Sequence, residues 1–246
     1  MKKSVLSALT LVTLSVIFLS SCKPEDNPTT TDLSINFYPM AGNDALVYNQ
    51  EYTINGRKLK FTNAQFYISA VRLIKADSSS TIPEMTYALV HALETNYSAG
   101  SVDPGTYIEL EFAVGVDSVS NHSDPTQWGV THPLYVNSLY ASYWDWSQGY
   151  VFMKLEGYVD TTAAANGTAS TGFAYHLGND EILRTIALSF NKAIGGNEAT
   201  IELNVDYAKL LEDVDLRTEL QTHSISNEPL AAKIADKAQE AITLRP

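Results

Sequence analysis

The chain has 246 residues, with 16 Lys and Arg against 28 Asp and Glu and a formal net charge of −12. That acidity argues against a nucleic-acid surface and against a polybasic membrane patch, while the length is enough for one domain with an adequate core. A single cysteine excludes an internal disulfide and a thiolate metal cluster.

The N-terminus reads Met1-Lys2-Lys3, then an apolar run over residues 5–19, then Ser20-Ser21-Cys22. A basic start and a short apolar stretch make a secretory signal, too short and too sharply ended for a membrane-spanning helix. Its end, Leu19-Ser20-Ser21-Cys22, resembles the bacterial lipoprotein lipobox. The resemblance implies cleavage after residues 1–21, lipidation of Cys22 and an outer-membrane lipoprotein of the cell envelope. Loss of Lys2 and Lys3 takes the formal charge from −12 to −14. Residues 22–32 carry Pro, Thr and acids without an apolar period and read as a flexible tether. Within them Lys23-Pro24-Glu25-Asp26 loosely resembles the surface-export signal of Bacteroidetes lipoproteins. The periplasmic and the surface-exposed face both stay open.

The domain, residues 33–246, is dominated by period two. Leu33, Ile35 and Phe37 alternate with polar residues, and shorter candidate strands follow near 45–54, 57–61, 65–75 and 85–92. Ile108, Leu110, Phe112, Val114 and Val116 continue the pattern. So do Val151, Met153 and Leu155, the stretch 172–177, then Ile186, Leu188 and Phe190, and finally Ile201, Leu203 and Val205. Alternation of this kind gives one face to a core and one to water. Asn55-Gly56, Asp103-Pro104-Gly105, Asn166-Gly167 and Gly195-Gly196-Asn197 separate the strands. About ten strands without βαβ alternation predict an all-β antiparallel sandwich.

Helix is confined to the end of the chain. Residues 206–213 are long enough for two turns. Residues 228–243 are the firmest helix, with Leu230, Ile234, Ala238, Ala241 and Ile242 on one face, Asn227 placed to cap it and Pro229 in its first turn. This helix is expected to cover a sheet edge or an open end of the sandwich.

The chain has no G-x-S-x-G, Walker loop, G-x-G-x-x-G, H-E-x-x-H or C-x-x-C-H, and no carboxylate pair stands out, so it reads as a non-enzyme. Candidate chemistry rests on histidine. His176 lies in Phe173-Ala174-Tyr175-His176-Leu177-Gly178, where alternation sets it between Ala174 and Gly178 on one face, leaving room for a ligand. The alternative is a hydrogen-bonded His at a strand end. His132 lies in a long excursion from 117 to about 140, rich in Gly, Pro and Asn, of the kind that carries function on β-sandwiches. His91 ends a strand, where a satisfied, partly buried ring is the plainer reading. His122 and His223 read as solvent-exposed. Neutral imidazole suits copper, and Cu(I) also accepts thioether sulfur, but Met40, Met85 and Met153 do not cluster in sequence. The oxygens of Asp117, Asn121 and Asp124 alternate in a way that could hold Ca²⁺, but the stretch lacks an EF-hand's Gly and terminal Glu, and a polar turn with Asx hydrogen bonds is the plainer reading.

Residues 143–157, Tyr-Trp-Asp-Trp-Ser-Gln-Gly-Tyr-Val-Phe-Met-Lys-Leu-Glu-Gly, resemble the W-x-W-x-x-G-Y-x-x-x-K-x-E-G block of the MbnP-like family of methanobactin-associated and related copper-binding proteins. Three stretches support this in family order: Phe66-Tyr67-Ile68-Ser69-Ala70-Val71-Arg72-Leu73, Phe112-Ala113-Val114-Gly115-Val116-Asp117, and the segment around His176. The resemblance implies a β-sandwich in a secreted or surface protein that binds copper, as Cu(I), through two His and a kynurenine made from a Trp. A MauG-like di-haem peroxidase would act as partner in that oxidation. His176 matches the family's F-x-x-H-x-G position. His132 and then His91 are the candidates for the second ligand, and Trp128, Trp144 and Trp146 are the candidate modified or site-lining aromatics. On this reading His132 and His176 share one centre. The competing reading is a glycan- or protein-binding sandwich without a metal, which requires a tryptophan on an exposed, flat platform.

Overall fold

Branched and aromatic residues at every second position build fifteen strands among the described residues. The computed structural model describes residues 29–145, 148–224 and 226–246. The signal peptide, Cys22, most of the tether and Trp146 lie outside the described residues. Numbered along the chain, the first strands are β1 (Thr31–Ala41), β2 (Asp44–Ala45), β3 (Tyr52–Ile54), β4 (Arg57–Lys75) and β5 (Ser80–Thr81). Next come β6 (Tyr87–His91), β7 (Asn96–Val102), β8 (Gly105–Val114), β9 (Tyr143–Asp145) and β10 (Gly149–Val159). The last are β11 (Thr171–Gly178), β12 (Arg184–Ile194), β13 (Glu198–Asp206), β14 (Gln221–Thr222) and β15 (Ile242–Leu244). The α-helices among the described residues are short: α1 (Ser118–Asn121), α2 (Tyr207–Leu210), α3 (Glu228–Asp236) and α4 (Ala238–Ala241).

The strands make the expected all-β sandwich. In the smaller sheet β1 is central, parallel to β13 and antiparallel to β7 and β2, with β15 beyond β13. The larger sheet runs β12-β8-β4-β10-β11-β14. Two pairs, β1–β13 and β11–β14, are parallel rather than antiparallel. Between the sheets Leu33, Ile35 and Phe37 of β1 meet Phe66 of β4 and Phe112 of β8. The Phe37 ring stands edge-on to Phe66 and Phe112 at 6.1 and 6.2 Å.

Strand β4 organises the larger sheet. Sequence pattern suggested two strands, 57–61 and 65–75, but they are one strand of 19 residues, bent by register shifts. At Phe66 its neighbours are Val90 of β6 and Met153 of β10, whereas at Ile68 they are Ala88 of β6 and Val114 of β8. So β10 and β8 take successive stretches of the same edge of β4. The chain between them includes the long excursion, residues 117–142, which folds over the sheet's outer face. There it buries a second apolar cluster of Tyr67, Val116, Leu134, Tyr150 and Phe152, joined by half-buried Tyr87, Leu89 and Trp128.

Two expectations need correction. In β8 the alternation holds from Leu110 to Val114, but Tyr107 is buried and Ile108 is exposed. Register shifts against both β4 and β12 occur just there, and the buried Tyr107 hydroxyl finds a partner in Asp103 O at 2.7 Å. The predicted helix over 228–243 breaks at Lys237 and ends as strand β15, because residues 242–244 pair with Leu203, Asn204 and Val205 of β13. Its apolar stripe is nonetheless buried, and the Asn227 side chain caps it through Leu230 N. The segment also covers an edge: the Gln239 side-chain amide accepts from Ala187 N at 3.0 Å and donates to Ala187 O at 3.1 Å, pairing the outer side of β12.

At the bulge between β4 and β10, a Cβ on Gly157 would stand 2.0 Å from Lys60 O and 2.8 Å from the Phe173 ring. Gly157→Ala is therefore expected to cost about 1–3 kcal/mol of stability, read from the midpoint of urea unfolding. An unchanged midpoint would mean that the two strands do not approach this closely.

Candidate functional site

The excursion is fixed at its root by polar side chains. Asp117 caps α1, accepting from Ser120 N at 3.0 Å and from the Tyr87 hydroxyl. Asn121 is fully buried; its carbonyl accepts from Tyr150 N at 2.8 Å and its amide donates to Asp180 at 3.1 Å. Asp124 caps the turn Pro125–Gln127 by accepting from Thr126 N and Oγ1. The oxygens considered for Ca²⁺ thus serve three separate sets of protein donors, with local Asx-type caps at Asp117 and Asp124. Further along, the Tyr150 hydroxyl donates to Leu134 O at 2.7 Å and pins the middle of the excursion to β10. At its far end Gln65, buried on β4, donates from Nε2 to Tyr140 O at 2.8 Å and Ser142 Oγ at 2.6 Å.

Between the excursion and β6 lies a cavity of about 410 Å³, lined by His91, His132, Met85, Tyr87, Glu94 and Tyr140 among others. Each imidazole is backed by an aromatic face. His132 stacks on Trp128 with centroids 4.2 Å apart and planes 12° from parallel, and His91 stacks on Tyr140 at 4.2 Å and 28°. Tyr87 stands 5.6 Å from the His132 ring. His132 Nδ1 accepts from Leu134 N at 3.1 Å, which leaves the ring proton on Nε2. His91 Nε2 lies 3.5 Å from Glu94, while its Nδ1 is buried without a hydrogen-bond partner. Trp128 Nε1 is likewise buried without a bond of good geometry, although the Tyr150 hydroxyl is near. Burial holds both histidines below the usual imidazole range, so both are neutral near pH 7.

His176 is elsewhere. His91, Gln65, Lys154 and His176 form one cross-strand row over β6, β4, β10 and β11. Three strand spacings put the two histidine backbones about 14 Å apart. His176 Nε2 meets Glu156 Oε1 at 2.8 Å, and its ring lies nearly parallel to that of His223 at 4.9 Å. That bond holds the Glu156 carboxyl below its ordinary range. The small neighbour expected to leave room for a ligand instead seats an indole, because a Cβ on Gly178 would stand 2.7 Å from Trp144. So the structure brings His91 and His132 together and sets His176 apart with Glu156 and His223. The shared centre expected for His132 and His176 is not formed, since His132 lines the cavity beside β6 while His176 lies three strands across the sheet on β11. His122 sits at the surface, 3.2 Å from Asp180. Among the described residues no group of three or more His, Cys, Asp or Glu converges.

Neither described tryptophan candidate offers a flat, exposed platform: Trp128 and Trp144 are both half-buried. Sequence reasoning did not single out Met85 or Tyr140 as site residues. Met85 could have been found, since residues 85, 87, 89 and 91 share a parity that leads into β6. Tyr140 comes from irregular chain and carried no such signal.

Asn121→Ala leaves the buried Tyr150 N–H unpaired and is expected to cost about 1–3 kcal/mol in thermal or urea unfolding; a neutral effect would show that the root of the excursion is held otherwise. The depressed histidines give a second expectation. The unfolded chain takes up protons at about pH 6.5 while the folded state resists. Stability is therefore complete above that pH and declines as pH falls below it, levelling off once the folded rings have titrated. Replacing His91 and His132 by Gln should flatten this slope between about pH 6.5 and 5, and an identical slope would contradict the burial argument.

Comparison with known proteins bears on the whole chain. A family model described as MbnP matches residues 30–228, from before β1 to the first residue of α3. By structure the chain is similar to MbnP from Methylosinus trichosporium, with a TM-score of 0.55 and 16% identity, covering 79% of this chain and 83% of that one. At this identity the likeness shows the fold. No curated protein matches the sequence significantly. Because the family model spans most of the sequence and nearly every strand of the sandwich, the chain belongs to the MbnP family.

Proposed function

We propose that this chain is a lipid-anchored envelope protein that binds copper as Cu(I), with His91 and His132 as its imidazole ligands. The observation that carries the reading is that both rings line one cavity, together with the Met85 side chain. Two neutral imidazoles and a thioether are a soft donor set of the kind Cu(I) accepts. The depressed basicity of both rings favours the unprotonated form that a metal needs. The buried, unpartnered Nδ1 of His91 is a nitrogen without a partner in the protein.

When bound, copper would supply a soft one-electron centre at the wall of this cavity. The chain's own residues hold the ligand rings in place: Trp128 and Tyr140 stack on them and restrict their rotation. For His132 to serve as ligand, the hydrogen bond from Leu134 N must be given up, a loss of about 1 kcal/mol. Trp128, in contact with the His132 ring, is the indole placed to become a modified ligand, and with no haem-attachment motif the chain would need a partner di-haem peroxidase for that oxidation. Attachment through Cys22 would hold the domain at the membrane, and among the described residues no helix is long and apolar enough to cross one.

The reading is tested by titrating the purified mature protein with Cu(I) under reducing conditions against a chromophoric chelator. His91→Ala and His132→Ala are each expected to weaken binding about tenfold or more, and His176→Ala to leave it within about twofold. A wild-type protein that cannot hold Cu(I) against the chelator, or a His132→Ala variant that binds like wild type, would sink it.

A further inference from the structure

Tyr140 closes one face of the His91 imidazole, yet little packs around it. Its residue surface is 38% exposed, and Leu139 beside it is 87% exposed. The turn that carries it, residues 138–142, is anchored mainly at one end: Ser142 O accepts from Val151 N at 2.9 Å, and Ser142 N lies 3.4 Å from the Tyr67 hydroxyl. At the other end Ser138 N bonds only to Tyr135 O of the same excursion, and Ala141 N bonds within the turn, to Ser138 O. The tie between the Tyr140 main chain and the sheet is the Gln65 side chain. Gln65 is 3% exposed, in the row that separates His91 from Lys154. A buried amide is costly unless its donors are used, and both bonds from Gln65 Nε2 go to this turn. With Tyr140 in place, His91 Nδ1 is buried and unpartnered.

We propose that Gln65 is a positioning residue that holds Tyr140 as a lid on His91, and that movement of this lid governs access to the His91 imidazole. The lid is a property of the metal-free protein, and its consequence for copper rests on the reading given above. A ring held by one aromatic face and one amide opens without unfolding the sheet, since the second apolar cluster is pinned independently through Tyr150 and Leu134.

The test uses the metal-free mature protein treated with diethylpyrocarbonate, which acylates neutral imidazole, with the rate at each histidine read by mass spectrometry. Tyr140→Ala and Gln65→Ala are each expected to raise the rate at His91 about tenfold, while Tyr140→Phe stays within about twofold of wild type. The rates at His122 and His176 should not change. A wild-type rate at His91 in Tyr140→Ala would overturn the lid. So would an equal acceleration at His176, which would signal general loosening, or a Tyr140→Phe variant as fast as Tyr140→Ala. In the copper-loaded protein the two alanine variants should release Cu(I) to a chelator faster than wild type, and equal release rates would count against the lid. If wild type takes up no Cu(I), the copper reading fails while the acylation result still decides the lid.

Discussion

Everything outside the sandwich core follows from the need to cover β4 on both faces. Inward, Ala64, Phe66 and Ile68 meet β1 and its neighbours; outward, Tyr67 is just as dry. A strand with apolar side chains on both faces cannot leave one in water. Here the second cover is largely irregular chain, the excursion over residues 117–142, and irregular chain brings main-chain groups that need partners. Those partners are the buried Asn121, Gln65 and Tyr150, each bonded to the opposite backbone. The cavity is the space left where this cover does not quite meet β6.

The fold was legible where one rule acted alone. Period two located β1, β11 and β13 because each has one buried face, and β10 because Val151, Met153 and Leu155 alternate even though Tyr150 and Phe152 are buried on the other face; Asn227 with Pro229 announced the start of α3. The pattern failed where a tertiary bond competed with it. Ile108 lost its inward place to Tyr107 at a bulge, and bulges leave no mark in alternation. Residues 242–244 carry helical spacing but lie within reach of an open edge of β13, and a ladder of backbone bonds outweighs the end of a short helix. The single strand β4 was read as two because the bulge around Thr62 breaks the count.

The site was less legible. His176 stood first because it matches the family's F-x-x-H-x-G position and its small neighbours suggested space, but space beside a glycine is open only until a neighbouring element claims it, and Trp144 does. His91 was ranked last of the three because a strand histidine is usually satisfied, yet one of its nitrogens is not. The pairing of His91 with His132 joins residues about 40 apart in the chain, across a loop whose path depends on side-chain bonds rather than on pattern. The tryptophan block, by contrast, marked the family well while contributing no ring to the cavity among the described residues.

The parallel pairing of β1 with β13 has a consequence for the order in which the molecule can form. Thr31 hydrogen-bonds to Gly196 O, 165 positions along the chain, and β15 then closes on β13 with the last residues of the sequence. One edge of β1 has no partner until most of the polypeptide is present. Hairpins such as β10–β11 can assemble early and β7 can pair one edge of β1, whereas the other edge of β1 must wait for β13. Contacts so distant in sequence make folding slow and place the commitment step late. In the meantime that open edge needs shielding from other chains.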